Sequence, residues 1–201
     1  YALAERDHNF NAEIAQIEKR YQEIIDGLKL DLDLSSEFDR IIDNFKRKAG
    51  ANYAASRGEY LNGIIMAEYL GYEFVDPAEA IRFNEAGVFD ADVTQALLSK
   101  RLEGVERAVI PGFYGAMEDG TVVTFSRGGS DITGSIVAKA IQADVYENWT
   151  DVSGFLIADP RIIENPKGID TITYGELREL SYMGAGVLHE NAIFPVRKQG
   201  I

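Results

Sequence analysis

Apolar residues along this chain recur at two periods, and the change from one to the other predicts its elements. Over residues 2–27, Ile14, Ile17, Tyr21, Ile24 and Leu28 recur at three- and four-residue steps, the stripe of an amphipathic helix. Gly27 reads as its stop, and residues 31–35 as a loop. Ser36 with Asp39 makes a weak capping box, because Asp replaces the favoured Glu. Phe38, Ile41, Ile42 and Phe45 form a second stripe, so residues 1–55 are expected to fold as a helical hairpin. Ala55-Ser56-Arg57-Gly58-Glu59 opens a third helix, which continues through Leu61, Ile64, Ile65, Ala67, Glu68 and Leu70 and ends at Gly71. That start places Glu59 in the first turn, where the helix dipole favours a carboxylate.

After Gly71 strands enter. Residues 72–75 read as a short strand, Asp76-Pro77 as a turn, and residues 90–102 as a helix carrying Val93, Ala96, Leu97 and Leu102. Ala108-Val109-Ile110 is a buried strand that ends in the bend Pro111-Gly112-Phe113-Tyr114-Gly115. Glu118-Asp119-Gly120 is a hairpin-type turn into the apolar run 121–125. Ile132, Ile136, Val137, Ala140 and Ile141 then share one face of a helix expected over 130–143. Residues 144–149 read as a strand with polar interruptions, with Thr150-Asp151 at its carboxyl end. Gly154 turns the chain, Asp159-Pro160-Arg161 is a tight turn, and residues 169–172 are extended. A helix over 174–183 turns Leu177, Leu180 and Tyr182 or Met183 inward, and Gly184 or Gly186 stops it. Strands alternating with helices imply an α/β fold with a mostly parallel sheet covered on both faces. In such sheets ligands sit beyond the carboxyl ends of the strands.

The densest chemistry lies in Ser126-Arg127-Gly128-Gly129-Ser130-Asp131. Two glycines let the backbone turn and approach a ligand. Ser130 reads as an N-cap, and the free amides of a helix start favour an anion. Arg127 adds a planar fork suited to a carboxylate or phosphate. Asp131 adds an anion at the same place, which suits catalysis on a charged substrate better than simple anion binding. An ordinary Gly-rich strand-to-helix turn explains the same residues, and the local pattern leaves both readings open.

The motifs taken together are more specific. Arg127-Gly128-Gly129-Ser130-Asp131, Trp149-Thr150-Asp151-Val152-Ser153-Gly154, Ala158-Asp159-Pro160-Arg161 and residues 179–189 up to His189 resemble aspartokinases in order and spacing. Ser56-Arg57-Gly58-Glu59 resembles that family's Ser-x-Gly-Glu, and the 111–115 bend its Gly-Phe-x-Gly. The resemblance implies the amino-acid kinase fold, a three-layer α/β/α sandwich, here with the helical hairpin added. It implies transfer of the ATP γ-phosphoryl group to the side-chain carboxylate of L-aspartate, opening lysine, threonine and methionine synthesis. By that resemblance Arg127, Gly128, Gly129 and Ser130 hold the carboxylate of aspartate that is not phosphorylated. Glu59 holds its ammonium, and Asp131 orients cationic groups around the phosphate. Residues 56–125 would form the substrate side and 126–201 the nucleotide side. Thr150, Asp151, Leu156, Arg161, Gly186 and Val187 fall at nucleotide positions. Mg²⁺ would bridge the phosphates without a dedicated protein cage. Two positions depart from the family: Gly186 replaces a lysine, and Leu156 stands where an aromatic residue is common.

The nucleophile would be the substrate's own carboxylate, so His189 is read as structural. His8 and Lys46-Arg47-Lys48 are read as solvated surface. Composition narrows the picture further. With 46% hydrophobic and 26% charged residues, the 201-residue chain is an ordinary globular one. A net charge of -13 argues against nucleic acid or an anionic membrane as partner. The absence of cysteine removes disulfide and thiolate chemistry and suits a cytoplasmic enzyme. Tyr1 lies inside a helical pattern, and no Lys-Phe-Gly-Gly phosphate loop precedes it, so both ends are expected to be cuts within a longer protein. The fragment alone is therefore expected to turn over poorly in an ADP-release assay, and the intact protein to be a homo-oligomer. Two other readings are a fusion with homoserine dehydrogenase and a catalytically weak homologue that binds an amino acid and regulates a partner.

Overall fold

The structure is a computed structural model that describes residues 1–149, 154–159, 162–182, 194–197 and 199–201. The chain divides into two compact units, Tyr1–Thr124 and Phe125–Ile201.

The first unit opens with α1 (Ala2–Glu5), α2 (Asn11–Leu28), α3 (Ser35–Lys46) and α4 (Ala51–Leu70). The expected single helix over 2–27 is broken in two. Asp7 turns left-handed, and the Asn9 side chain accepts from the Asn11 amide at 2.9 Å. Such side-chain bonds compete with helix continuation. At the far end α2 passes Gly27 and closes at Lys29, which is left-handed, with the Leu30 amide on the Ile25 carbonyl. The inward line of α2 is Ile14, Glu18, Tyr21 and Ile25, while Ile17 and Leu28 stand largely exposed. A helix with few neighbours buries only a narrow seam, so two of the five expected stripe residues lie off it.

Asp33, rather than Ser36 with Asp39, organises the start of α3. Its carboxylate accepts from the Ser35 amide at 2.8 Å and the Ser35 hydroxyl at 2.6 Å. Those two donors hold Asp33 below the usual carboxylate range. Phe38, Ile41 and Phe45 then face a core shared with Tyr53, Tyr60, Leu61, Ile65 and Tyr114.

The third helix begins at Ala51, one turn before the expected start. It is the helix around which this unit packs, meeting α3, β1 (Glu73–Phe74), β2 (Ala108–Val109) and β4 (Val122–Thr124). Gly71 closes it in the left-handed conformation. β1 and β2 pair in parallel, Glu73 opposite Ala108 and Phe74 opposite Val109. Between them lie α5 (Pro77–Ala80) and α6 (Ala91–Arg101). Asp76-Pro77 proves to be a helix start: the Asp76 carboxylate accepts from the Ala78 amide and the Tyr114 hydroxyl, both at 3.0 Å. Asp90 caps α6 in the same way, on the Val93 amide. β3 (Tyr114–Ala116) and β4 form an antiparallel hairpin across residues 117–121. A connection this short can only return antiparallel. The class is α/β, with one parallel and one antiparallel strand pair among the described residues.

The second unit is built on α7 (Gly129–Ala140), with α8 (Tyr174–Tyr182) and α9 (Phe194–Arg197). Ile132, Thr133, Ser135, Ile136, Ala138 and Ala140 form the buried face of α7, and α9 packs on the helix. Ile141, expected inside, follows the helix end and is exposed. Residues 155–157 pair antiparallel with 167–169, through Ile157 amide to Lys167 carbonyl at 3.0 Å and Ile169 amide to Phe155 carbonyl at 2.8 Å. Thr173 and Glu176 form a capping box at the start of α8: the Glu176 carboxylate accepts from the Thr173 amide and hydroxyl, and the Glu176 amide donates back to that hydroxyl. Leu177 is buried and Leu180 half-buried, as the helical pattern predicts. Met183, Gly184 and Gly186 lie outside the described residues.

Candidate active site

The Gly-rich loop does build a helix start, though not through Ser130. Gly128 is the cap residue, at φ 60° and ψ 26°, and no side chain caps the helix. A residue with a Cβ would meet strain at that φ. The first helical bond runs from the Ile132 amide to the Gly128 carbonyl at 3.0 Å. The amides of Gly129, Ser130 and Asp131 therefore precede the helical ladder and are available to an anion. Ser130 is exposed in the first turn. Arg127 is exposed just before the turn and makes no ion pair among the described residues. The loop thus combines three backbone donors and a cationic fork within five residues.

Asp131 closes the first turn of α7, where the helix dipole stabilises its charge. Its Oδ1 accepts from the Asn148 amide at 3.3 Å, and its backbone carbonyl accepts from the Tyr146 hydroxyl at 3.1 Å. Burial, and then the Asp131 charge, raise the Tyr146 phenol above its ordinary value, so it remains a donor at neutral pH. Residues 144–149 are consequently not a strand: Tyr146 and Asn148 bond the helix instead of a neighbouring strand. The polar interruptions in that stretch are the signal for these two contacts. Trp149 follows and is 89% exposed.

Tyr146 lies on α7 where Gly134 lacks a side chain. A Cβ there would come within 2.5 Å of the Tyr146 oxygen and 2.8 Å of its ring carbons. Glycine to alanine inside a helix ordinarily stabilises by roughly 1 kcal/mol. Gly134→Ala is expected to do the opposite and lower stability by about 1–3 kcal/mol, since the ring must move. Thermal unfolding measures it; a stabilised variant would show that Tyr146 does not rest there.

Glu59 belongs to the first unit. With α4 starting at Ala51, it sits in the third turn, exposed, so support by the helix start is no longer available to explain it. The Tyr21 hydroxyl donates to the neighbouring Gly58 carbonyl at 3.0 Å. Burial and the Glu59 charge raise that phenol. Glu59 itself forms no ion pair among the described residues. On the opposite face of the same motif Ser56 and Arg57 are buried, and Ser56 Oγ donates to the Tyr53 carbonyl at 2.8 Å. The Arg57 guanidinium lies 4.5 Å from the ring centres of both Tyr53 and Tyr60. Motif matching passes over this cation, although its place in the apolar run Tyr53, Ser56, Arg57, Tyr60, Leu61 marks it as inward-facing.

Of the expected nucleotide residues, Leu156 lies in the short antiparallel pair opposite Gly168. Thr150, Asp151, Arg161, Gly186 and Val187 lie outside the described residues, as does His189. No group of three acidic or histidine side chains converges among the described residues. No helix among the described residues is long and apolar enough to cross a membrane.

Comparison with known proteins agrees with the motif order. Aspartokinase 3 of Bacillus subtilis is 43% identical over 154 residues, which cover 72% of this chain and 34% of that protein. Aspartokinase 2 of the same organism is 37% identical over 131 residues, 65% of this chain and 31% of its own length. The crystal structure of Clostridium acetobutylicum aspartate kinase superimposes with a TM-score of 0.89 at 50% identity, over 100% of this chain and 45% of that one. Escherichia coli aspartokinase III, solved with aspartate and ADP, gives a TM-score of 0.76 at 26% identity, over 94% of this chain and 47% of that one. The chain thus spans about a third of the curated relatives and just under half of the solved ones. The profile of the amino acid kinase family matches residues 10–201, and the chain belongs to that family.

Proposed function

We propose that the protein carrying this chain is an aspartate kinase, transferring the γ-phosphoryl group of ATP to the side-chain carboxylate of L-aspartate. The observation that carries this reading is the start of α7: amides of Gly129 and Ser130 that precede the helical ladder, beside Arg127, which makes no ion pair among the described residues, with Asp131 closing the turn. Anion donors and a carboxylate in one turn suit a substrate that is itself charged, and the similarity to a kinase solved with aspartate and ADP supports aspartate as that substrate.

In this reading the aspartate carboxylate attacks the γ-phosphorus, the bond to the bridging oxygen breaks, and ADP leaves with its electron pair. No proton changes hands, so no general base is needed and catalysis is positioning plus charge stabilisation. Arg127 and the amides of Gly128, Gly129 and Ser130 hold the other carboxylate of aspartate. Glu59 receives its ammonium. Asp131 orients cationic groups at the phosphate. Thr150, Asp151, Leu156, Arg161, Gly186 and Val187 serve the nucleotide. Mg²⁺, when bound with the nucleotide, would supply positive charge there. The protein works as a homo-oligomer in the cytoplasm, at the entry to lysine, threonine and methionine synthesis.

A coupled ADP-release assay on the full-length protein tests this, with aspartate, glutamate and acetylglutamate offered in turn. Turnover that requires aspartate is expected. Aspartate binding without turnover would instead make the protein a regulatory homologue. Glu59→Gln is expected to raise the KM for aspartate roughly ten- to a hundredfold, the value of a charged hydrogen bond of about 1.5–3 kcal/mol, and to leave that for ATP unchanged. Unchanged aspartate kinetics would remove Glu59 from the site.

A further inference from the structure

Residues 144–149 lie along α7 as a strap. Two side chains of this strap reach the same residue. Tyr146 donates to the backbone carbonyl of Asp131, and Asn148 donates to its carboxylate. The Tyr146 ring seats itself over Gly134, one turn further along the helix. Tyr146 is only half-buried and Asn148 is exposed, so neither is there to fill a core. In sequence the strap is followed directly by Thr150 and Asp151.

Asp131 is the third residue of its helix. A carboxylate at that position ordinarily reaches back toward the helix start and accepts from the amides there. Those are the amides the proposed substrate carboxylate needs. Asn148 draws the Asp131 carboxylate toward the strap instead, and Tyr146 fixes the backbone from which it projects.

We propose that Tyr146 and Asn148 are positioning residues: they hold the Asp131 carboxylate in one orientation and keep it off the helix-start amides. The inference rests on the role given to Asp131 above. Both residues act through Asp131 and touch no substrate. Asn148 is the sharper probe, because its amide is the donor and aspartate has the same shape. Asn148→Asp replaces attraction by repulsion at 3.3 Å; Asn148→Ala only deletes the donor.

The experiment measures kcat, both KM values and the melting temperature of the full-length protein and its variants. Asn148→Ala and Tyr146→Phe are expected to lower kcat roughly tenfold, because a misplaced group far from the bond being made can cost a factor of about a hundred. Asn148→Asp should lower it further than Asn148→Ala. The KM for ATP and the melting temperature of both Asn148 variants should stay at wild-type values. Adding Tyr146→Phe to Gly134→Ala should cost no more in kcat than Gly134→Ala alone, since both undo one contact. Equal kcat in Asn148→Asp, Asn148→Ala and wild type would overturn the proposal while leaving the kinase reading intact. So would a lower melting temperature with kcat per folded molecule unchanged. A wild-type protein without aspartate-dependent turnover would overturn the kinase reading itself, and this inference with it.

Discussion

Arg127→Lys in the full-length protein is expected to lower kcat/KM for aspartate more than tenfold and to leave ADP affinity unchanged. Arg127 is exposed beside the Gly128 turn and has no ion pair among the described residues, so its charge is not spent on holding the fold. Lysine keeps the charge and loses the planar fork, turning a two-point grip on a carboxylate into a single contact. About 1.4 kcal/mol suffices for a factor of ten, and a bidentate pair exceeds that. Because Gly128 already supplies the left-handed turn, the substitution should not disturb the helix start, and the melting temperature should stay put. Two measurements separate the alternatives. Titration with ADP in the absence of aspartate shows whether Arg127 belongs to the nucleotide; if that affinity falls first, the substrate assignment is wrong. A lower melting temperature with normal kinetics in the folded fraction would make the residue structural.

Much of the fold is legible in the sequence, and the misses share a cause. The parallel pair around Ala108 and the hairpin at Glu118-Asp119-Gly120 each combine an apolar run with a turn signal at the boundary, whereas the helix after Asp90 is marked by its cap and buries Thr94 and Leu98 in place of the expected Val93 and Ala96. Where the boundary signal misleads, the element moves. Ser36 has the chemistry of a cap, yet Asp33 takes the Ser35 amide. Ser130 has it too, yet a left-handed Gly128 starts the helix without any side chain. The apolar residues of 144–149 also mislead, since Val145, Tyr146 and Trp149 suggest a strand while the Tyr146 and Asn148 side chains bond α7. Asp131 and its loop stand out because backbone donors, a cation and an anion crowd into five residues. Tyr146 and Asn148 do not, since their contacts with Asp131 span fifteen and seventeen residues of sequence. Glu59 stands out by motif alone, and its helix starts one turn before the pattern places it.

Arg57→Ala is expected to destabilise the protein by about 3–5 kcal/mol, more than Gly134→Ala, whereas Arg57→Met should cost less than about 1.5 kcal/mol. Arg57 is 7% exposed and has no carboxylate within ion-pair reach among the described residues. Isolated buried charges are costly, so something else must stabilise this one. Its Nε and Nη2 donate to Ser56 Oγ at 3.1 and 2.9 Å, and Nε also to the Tyr53 carbonyl at 3.3 Å. The faces of Tyr53 and Tyr60 at 4.5 Å and Tyr114 at 5.4 Å supply negative quadrupole on three sides. A desolvated contact of this kind is worth about 2 kcal/mol. Its charge also works against burial and Asp76 at Tyr114, whose phenol is nonetheless held far above its ordinary value. Truncation to alanine leaves three aromatic rings around a void. Methionine refills that volume without a charge to desolvate, and replacement of a buried cation by an apolar isostere is often neutral. Urea unfolding of the full-length protein decides it. Equal losses for both variants would show that the charge, not the packing, stabilises α4; no loss in either would mean that the guanidinium is not enclosed by these rings.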